Sequence, residues 1–79
     1  MTFKKVSEDR YYEMLEALPP AVMTGRGFLV GEAWTHNGRG EPMFAPFVEH
    51  AGAFYEGDGP MTIAEFRALT PADVIGEVA

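Results

Sequence analysis

The chain contains no cysteine, a single serine and two histidines. Without cysteine there is no disulfide framework and no thiolate zinc site, so we expect a reducing, cytoplasmic setting. No apolar run approaches the roughly 20 residues that a helix needs to span a bilayer. No signal peptide is recognisable at the amino terminus. These absences exclude the disulfide-rich secreted and membrane-spanning classes.

Residues with catalytic chemistry are also scarce. Ser7 is explained as a helix N-cap. His36 and His50 lie at opposite ends of two predicted strands, roughly 20 Å or more apart, so they cannot share a metal ion within one chain. No phosphate-binding loop, metalloprotease helix or hydrolase elbow is present. We therefore expect no enzyme, no cofactor and no metal, and a deep pocket with a buried histidine or carboxylate would argue otherwise.

Acidic residues outnumber basic residues two to one. Twelve acids and six bases give a net charge of −6, so the basic footprint of a nucleic-acid-binding protein is missing. The excess of acids suits a basic protein partner, although solubility alone also explains it. A chain of 79 residues predicts one domain over residues 1–79, with a modest core.

The middle of the chain is typical of an antiparallel β-meander. Three apolar runs, Phe28–Thr35, Met43–His50 and Ala53–Glu56, are separated by turn-forming residues at 37–40 and 51–52. This spacing places Phe28 opposite Glu49 and Glu49 opposite Phe54. Pro46 lacks the N–H that a central strand needs. It therefore predicts either a bulge or an unpaired edge beside it.

Alternation of side chains assigns the two faces of this sheet. The predicted core face holds Phe28, Val30, Trp34, Met43, Phe47 and Phe54. The other face holds Leu29, Gly31, Ala33, Thr35, Phe44, Pro46, Val48, His50 and Tyr55. If the helices cover only the core face, the second face is open and is a candidate homodimer interface. The alternative is that one helix covers each face.

Helices are predicted on both sides of the meander. After a lead-in over residues 1–6, Ser7 caps a helix from Glu8 to Leu18, which Pro19 ends. Its apolar stripe is Tyr11, Met14, Leu15 and Leu18. A connector over residues 21–27 leads into the sheet.

Two capping patterns follow the sheet. Thr62 and Glu65 form a capping box for a helix over residues 63–69. Thr70 and Asp73 repeat the pattern before a short turn over residues 72–75. The predicted fold class is therefore α+β in the order α-β-β-β-α, with a short extra helical turn.

An acidic stripe runs along the outer side of the first helix. Asp9, Glu13 and Glu16 follow helical spacing, and Tyr12 lies beside them. These four residues, with Glu32 and Glu49, are the predicted partner-binding residues, and they would meet lysine and arginine side chains. The simpler alternative is a helix face that water covers.

Three blocks of the sequence carry a family resemblance: RYYEMLEALPP at residues 10–20, GFLVGEAWTH at residues 27–36 and MTIAEFRAL at residues 61–69. Together they resemble a family of small uncharacterised proteins of bacterial plasmids and prophages. That family supplies no catalytic residues. In size and charge the chain is similar to anti-CRISPR proteins that inhibit type I, including type I-C-like, surveillance complexes.

The resemblance implies a stoichiometric inhibitor in the cytoplasm of the host bacterium. Such an inhibitor would dock on the basic DNA-binding surface of the complex and exclude target DNA, with its carboxylates in place of phosphates. The alternative function is a homodimerising accessory protein of a mobile genetic element without catalytic activity. The sequence leaves open whether the protein is a monomer or a homodimer.

Overall fold

The computed structural model describes residues 2–76. In chain order the elements are β1 (Phe3–Val6), α1 (Glu8–Ala17), β2 (Val22–Thr24), β3 (Gly27–Leu29), β4 (Thr35–His36), β5 (Pro42–Met43), β6 (Pro46–His50), β7 (Ala53–Gly57), α2 (Ile63–Arg67) and α3 (Pro71–Ile75). Five strands form an antiparallel sheet in the order β1-β7-β6-β3-β2, and β4 pairs with β5. The α+β class is confirmed, but the predicted order α-β-β-β-α is too simple.

Two edge strands were missed in the sequence. The predicted lead-in is β1, which pairs with β7 and buries Phe3, while Lys4 and Lys5 stay exposed. The predicted connector contains β2, which joins β3 through the turn at Gly25 and Arg26. Edge strands this short bury few side chains, so their hydrophobic pattern is weak.

The two long predicted strands are each broken. The first leaves the large sheet after Leu29 and pairs again only at Thr35. At the break, Gly31 lies so close to the carbonyl oxygen of Pro19 that a Cβ would overlap it. Trp34, predicted to be in the core, is consequently 59% exposed. The assumption that the strand continued through Gly31 was wrong.

The register differs from the prediction by two residues at one hairpin and agrees at the other. Phe28 pairs with Phe47 instead of Glu49. Because side chains alternate with a period of two, this shift leaves the two phenylalanines on the predicted face. The turn at Ala51 and Gly52 has φ values of 52° and 80°, and Glu49 lies opposite Phe54 as predicted.

Pro46 lies in β6 at the point where its pairing with β7 stops. The hydrogen bonds from the Val30 N–H to the Ala45 oxygen and from the Glu49 N–H to the Arg26 oxygen show that Phe47 directs its backbone groups toward β3. The nitrogen of Pro46 therefore points toward β7, whose pairing with β6 begins at Phe47. Of the two alternatives for Pro46, the unpaired edge is the one observed.

The large sheet has a helical layer on each face. On one side α1 covers a cluster of Tyr11, Phe28 and Phe47, flanked by Met14, Leu15, Val30 and Phe54. On the other side, Phe66 of α2 and Val74 of α3 pack into a second cluster. Its other members are Phe3, Leu29, Phe44, Val48, Tyr55 and Met61. Of the two alternatives for this sheet, helical cover on both faces is the one observed, so the second face is buried and cannot form the homodimer interface that depended on its being open.

The caps of the helices are those predicted. Ser7 caps α1, and both Thr62 and Thr70 form complete capping boxes with the residue three positions later. The predicted helix ends are less accurate, since α2 ends at Arg67 and α3 begins at Pro71. Capping is a local interaction, so the sequence specifies it well.

Candidate functional site

Helix α1 is fixed on the sheet by its cap and its inner side. The Ser7 Oγ accepts a hydrogen bond of 3.1 Å from the Arg10 N–H. Tyr11 is buried, and its ring makes edge-on contacts with Phe28 at 5.1 Å and Phe47 at 6.3 Å between centroids. Burial raises the pKa of the Tyr11 hydroxyl above its usual value of 10.0. The inner side therefore determines which residues α1 turns outward.

The outward side of α1 carries the predicted acidic stripe. Asp9, Glu13 and Glu16 are all exposed, and helical spacing places neighbouring carboxylates about 5–6 Å apart at Cβ. Tyr12 is 43% exposed. Its ring rests edge-on against Tyr11 at 5.3 Å and Phe54 at 5.8 Å between centroids. These four predicted residues form one surface, which we call the α1 acidic face.

The guanidinium of Arg10, the basic residue of α1, is paired with the sheet. The Arg10 guanidinium donates two hydrogen bonds of 3.2 Å to the carboxylate of Glu56, and it lies 5.8 Å from the centroid of the Phe47 ring. The hydrogen bond to Glu56 and, to a smaller extent, the negative charge of Glu13 raise the pKa of Arg10. The pair is partly exposed, so it stabilises the fold by at most about 1 kcal/mol. In residues 2–76 the structure shows no ion pair between Arg10 and the α1 acidic face.

The two other predicted partner residues lie apart from the stripe. Glu49 is half-buried on the α1 side of the sheet, and its Oε2 accepts a 3.1 Å hydrogen bond from the Gly52 N–H. Glu49 therefore stabilises the β6–β7 turn, a role the sequence analysis did not assign to it. Glu32 is exposed in the loop after β3. Because neighbouring Gly31 packs against Pro19, this loop lies at the carboxyl-terminal end of α1.

The position of Glu16 along α1 is unfavourable for the helix itself. The first turn holds Glu8 and Asp9, where the helix dipole favours negative charge, but the last turn, which contains Glu16, has no base. A carboxylate near the carboxyl-terminal end of an exposed helix costs about 0.3–1 kcal/mol. Helix stability therefore does not explain Glu16.

Among the described residues, the cavities are either about the size of one water molecule or open to solvent. A cavity of about 20 Å³ lies under α2 and α3, beside Arg26, His50 and Val74. This volume holds about one water molecule. A shallow groove between Pro42 and α2 is open to solvent. Residues 2–76 contain no group of three histidine, aspartate or glutamate side chains placed to hold a metal ion.

One exposed apolar residue, Met23, was not predicted from the sequence. Met23 lies in the edge strand β2 and is 60% exposed. Its signal in the sequence is the pair of β-branched residues on either side of it, Val22 and Thr24. This short stretch is bounded by Pro20 and Gly25, two residue types that end regular structure.

Within the described residues, no helix has the length and apolar character needed to cross a membrane. The chain was compared with protein-family models, with curated proteins and with solved structures, and none of the three comparisons found a match.

Proposed function

We propose that this protein is a non-catalytic inhibitor that uses the α1 acidic face to bind a basic surface of a nucleic-acid-binding assembly. The carboxylates occupy the positions that phosphates take in the competing nucleic acid. Because bound protein and bound nucleic acid exclude each other, inhibition is stoichiometric.

One observation carries this proposal: the α1 acidic face is outward, and Arg10 pairs with Glu56 on the sheet instead of with the stripe. Among residues 2–76, Asp9, Glu13 and Glu16 form no ion pair, so these carboxylates can reach a partner's lysine or arginine. Tyr12 adds an aromatic surface held in place by Tyr11 and Phe54. Such a rigid aromatic is suited to stack against a guanidinium group.

The specific form of the proposal is an anti-CRISPR protein of the host cytoplasm. Its target is the basic DNA-binding surface of a type I surveillance complex, such as type I-C. A surface that binds duplex DNA presents rows of lysine and arginine to phosphates, which is the chemistry complementary to Asp9, Glu13 and Glu16.

The test is a triple variant, Asp9→Asn, Glu13→Gln and Glu16→Gln. It removes three negative charges and keeps the side-chain shapes. We expect it to lose about 10-fold to 100-fold in inhibition of DNA binding by a purified type I complex. The measurement is a mobility shift of target DNA against protein concentration, repeated at about 50 mM and 200 mM salt.

The matched control adds three positive charges on the opposite layer, with Ala64→Lys, Ala68→Lys and Ala72→Lys. These three alanines are exposed, so the net charge changes by the same amount at a distance from α1. We expect this variant to inhibit nearly as well as the wild type. Equal inhibition by the amide variant and the wild type removes the α1 acidic face from the mechanism. Failure of the wild type to displace DNA rules out the type I complex.

A further inference from the structure

The two edges of the five-stranded sheet differ in charge. At one edge, β1 carries Lys4 and Lys5, both exposed. Lysines on an edge strand discourage pairing with another chain. At the other edge, β2 contains no charged residue and no proline. Only the β2 edge therefore lacks the usual protection against strand addition.

The backbone of β2 presents one complete donor and acceptor pair outward. Phe28 directs its own N–H and C=O toward Phe47 in β6, as the flanking hydrogen bonds from Val30 and Glu49 show. Met23 lies opposite Phe28. In an antiparallel ladder the residue opposite Phe28 then directs its groups away from β3. The N–H and C=O of Met23 therefore lie at the free edge of the sheet.

The surroundings of this edge suit a second copy of the same chain. Residues 17–31 contain no carboxylate, although the chain has twelve acids. The base in that stretch, Arg26, donates a hydrogen bond to the Leu69 oxygen. The stretch itself therefore places no carboxylate opposite the same stretch of a second copy. Met23 also offers an apolar side chain that is 60% exposed on the α1 side of the sheet.

We propose that two copies of the protein associate by antiparallel pairing of β2 with β2 about a two-fold axis at Met23. Each Met23 N–H donates to the C=O of the other Met23, and the two methionine side chains lie next to each other. The contact is self-complementary, as a two-fold interface requires. It joins the two sheets into one and leaves both α1 acidic faces outward. This proposal is independent of the proposed function.

Because β2 has three residues, we expect the pairing to bury less than the roughly 1,200 Å² of stable complexes and the association to be weak. The test is sedimentation equilibrium from about 20 µM to about 1 mM protein, a range that covers weak dimers. We expect the average mass to rise with concentration from 8.7 kDa toward twice that value. A mass that stays at the monomer value at the highest concentration overturns the proposal.

Two variants distinguish the β2 edge from other contacts. Met23→Lys adds a charge to the edge, and we expect it to lower self-association by at least about 10-fold. Ile75→Lys makes the same change at an exposed apolar residue of α3, and we expect it to self-associate like the wild type. Equal loss in both variants, or no loss in Met23→Lys, contradicts pairing through β2.

Hydrogen exchange of the wild type gives a measurement that does not depend on how the variants fold. At high protein concentration the Met23 N–H is paired, so we expect its exchange to slow relative to low concentration. The Lys5 N–H lies at the opposite edge, and we expect its exchange rate to stay constant. A dimer in which the Met23 N–H exchanges at the same rate as in the monomer uses another surface.

Discussion

Gly27 in β3 has no room for a side chain beside β6. A Cβ on this residue would overlap the carbonyl oxygen of Phe47 and lie 2.8 Å from the Cα of Val48. Both neighbouring atoms belong to the backbone of a central strand, so they cannot move aside without disturbing the ladder. Pairing of β3 with β6 at this position therefore requires a glycine.

We expect Gly27→Ala to lower the free energy of unfolding by about 1–3 kcal/mol, the usual cost of overpacking. Gly25 is the matched control, since nothing lies within 4 Å of its Cβ position and its φ is not positive. We expect Gly25→Ala to change the same quantity by about 0.5 kcal/mol or less. Urea denaturation measures both. Similar effects from the two substitutions would show that the close approach at Gly27 is relaxed in solution.

Single residues also show where sequence reasoning succeeds and fails. The caps at Thr62 and Thr70 were predicted because each depends only on the residue three positions later. Trp34 was placed in the core by counting alternate residues through Gly31. Nothing in the local sequence shows that Gly31 must pack against Pro19, which lies in another part of the chain.

The capping box of α3 joins a backbone group to a titratable side chain. The Thr70 N–H donates a 2.8 Å hydrogen bond to Asp73 Oδ2, and the Asp73 N–H donates one of 3.3 Å to Thr70 Oγ1. The hydrogen bond from the Thr70 backbone lowers the pKa of Asp73 below its usual 3.8. Because the unfolded chain binds this proton more readily, the stabilisation is complete above the usual pKa and is lost as the pH falls through the folded pKa.

We therefore expect Asp73→Asn to destabilise the protein at pH 6, and the difference from the wild type to shrink as the pH falls below the usual pKa of 3.8. Urea denaturation at several pH values measures this difference. Thr70→Val, which removes the hydroxyl acceptor but keeps the Thr70 N–H, should keep most of the dependence on pH. A difference between Asp73→Asn and the wild type that is constant with pH would contradict a cap based on the charged carboxylate.

Strands were harder to predict than helices because their partners are distant in sequence. Phe3 pairs with Gly57, so β1 has no local signal beyond one apolar residue before two lysines. By contrast, β7 and its turn at Ala51 and Gly52 were predicted, since that hairpin is local. The break in the first predicted strand likewise depends on a contact with a distant residue.

The charge of the chain as a whole is unfavourable for folding. Twelve acids face six bases, and a net charge of this size destabilises the compact state through repulsion. Glu16 adds to this repulsion and also lies in the last turn of α1, at the wrong end of the helix dipole. Stability therefore does not account for its presence.

We expect Glu16→Gln to raise the free energy of unfolding by about 0.3–1 kcal/mol at low salt, where repulsion and the dipole act most strongly. The gain should shrink at about 0.5 M salt. Thermal or urea denaturation at both salt concentrations measures it. A loss of stability in this variant would mean that the Glu16 carboxylate makes favourable contacts in the folded protein.

The arrangement of layers could be predicted only in part. The α1 acidic face was predicted correctly to be a separate side of the helix, because helical periodicity is a local property. The sequence could not show that α1 and the pair α2 and α3 cover opposite faces. That choice depends on how each connection crosses the sheet, and it is why an open face and a covered face both remained possible from the sequence.

Helix α1 is held at both ends. Ser7 alone separates it from β1, which is paired with β7, and the residues after it pack against Gly31. A macromolecule that docks on its outer side would find the backbone already ordered, so mainly side-chain rotamers would lose freedom. The entropic cost of complex formation would then be low, and encounter between opposite charges would set the rate more than any folding step.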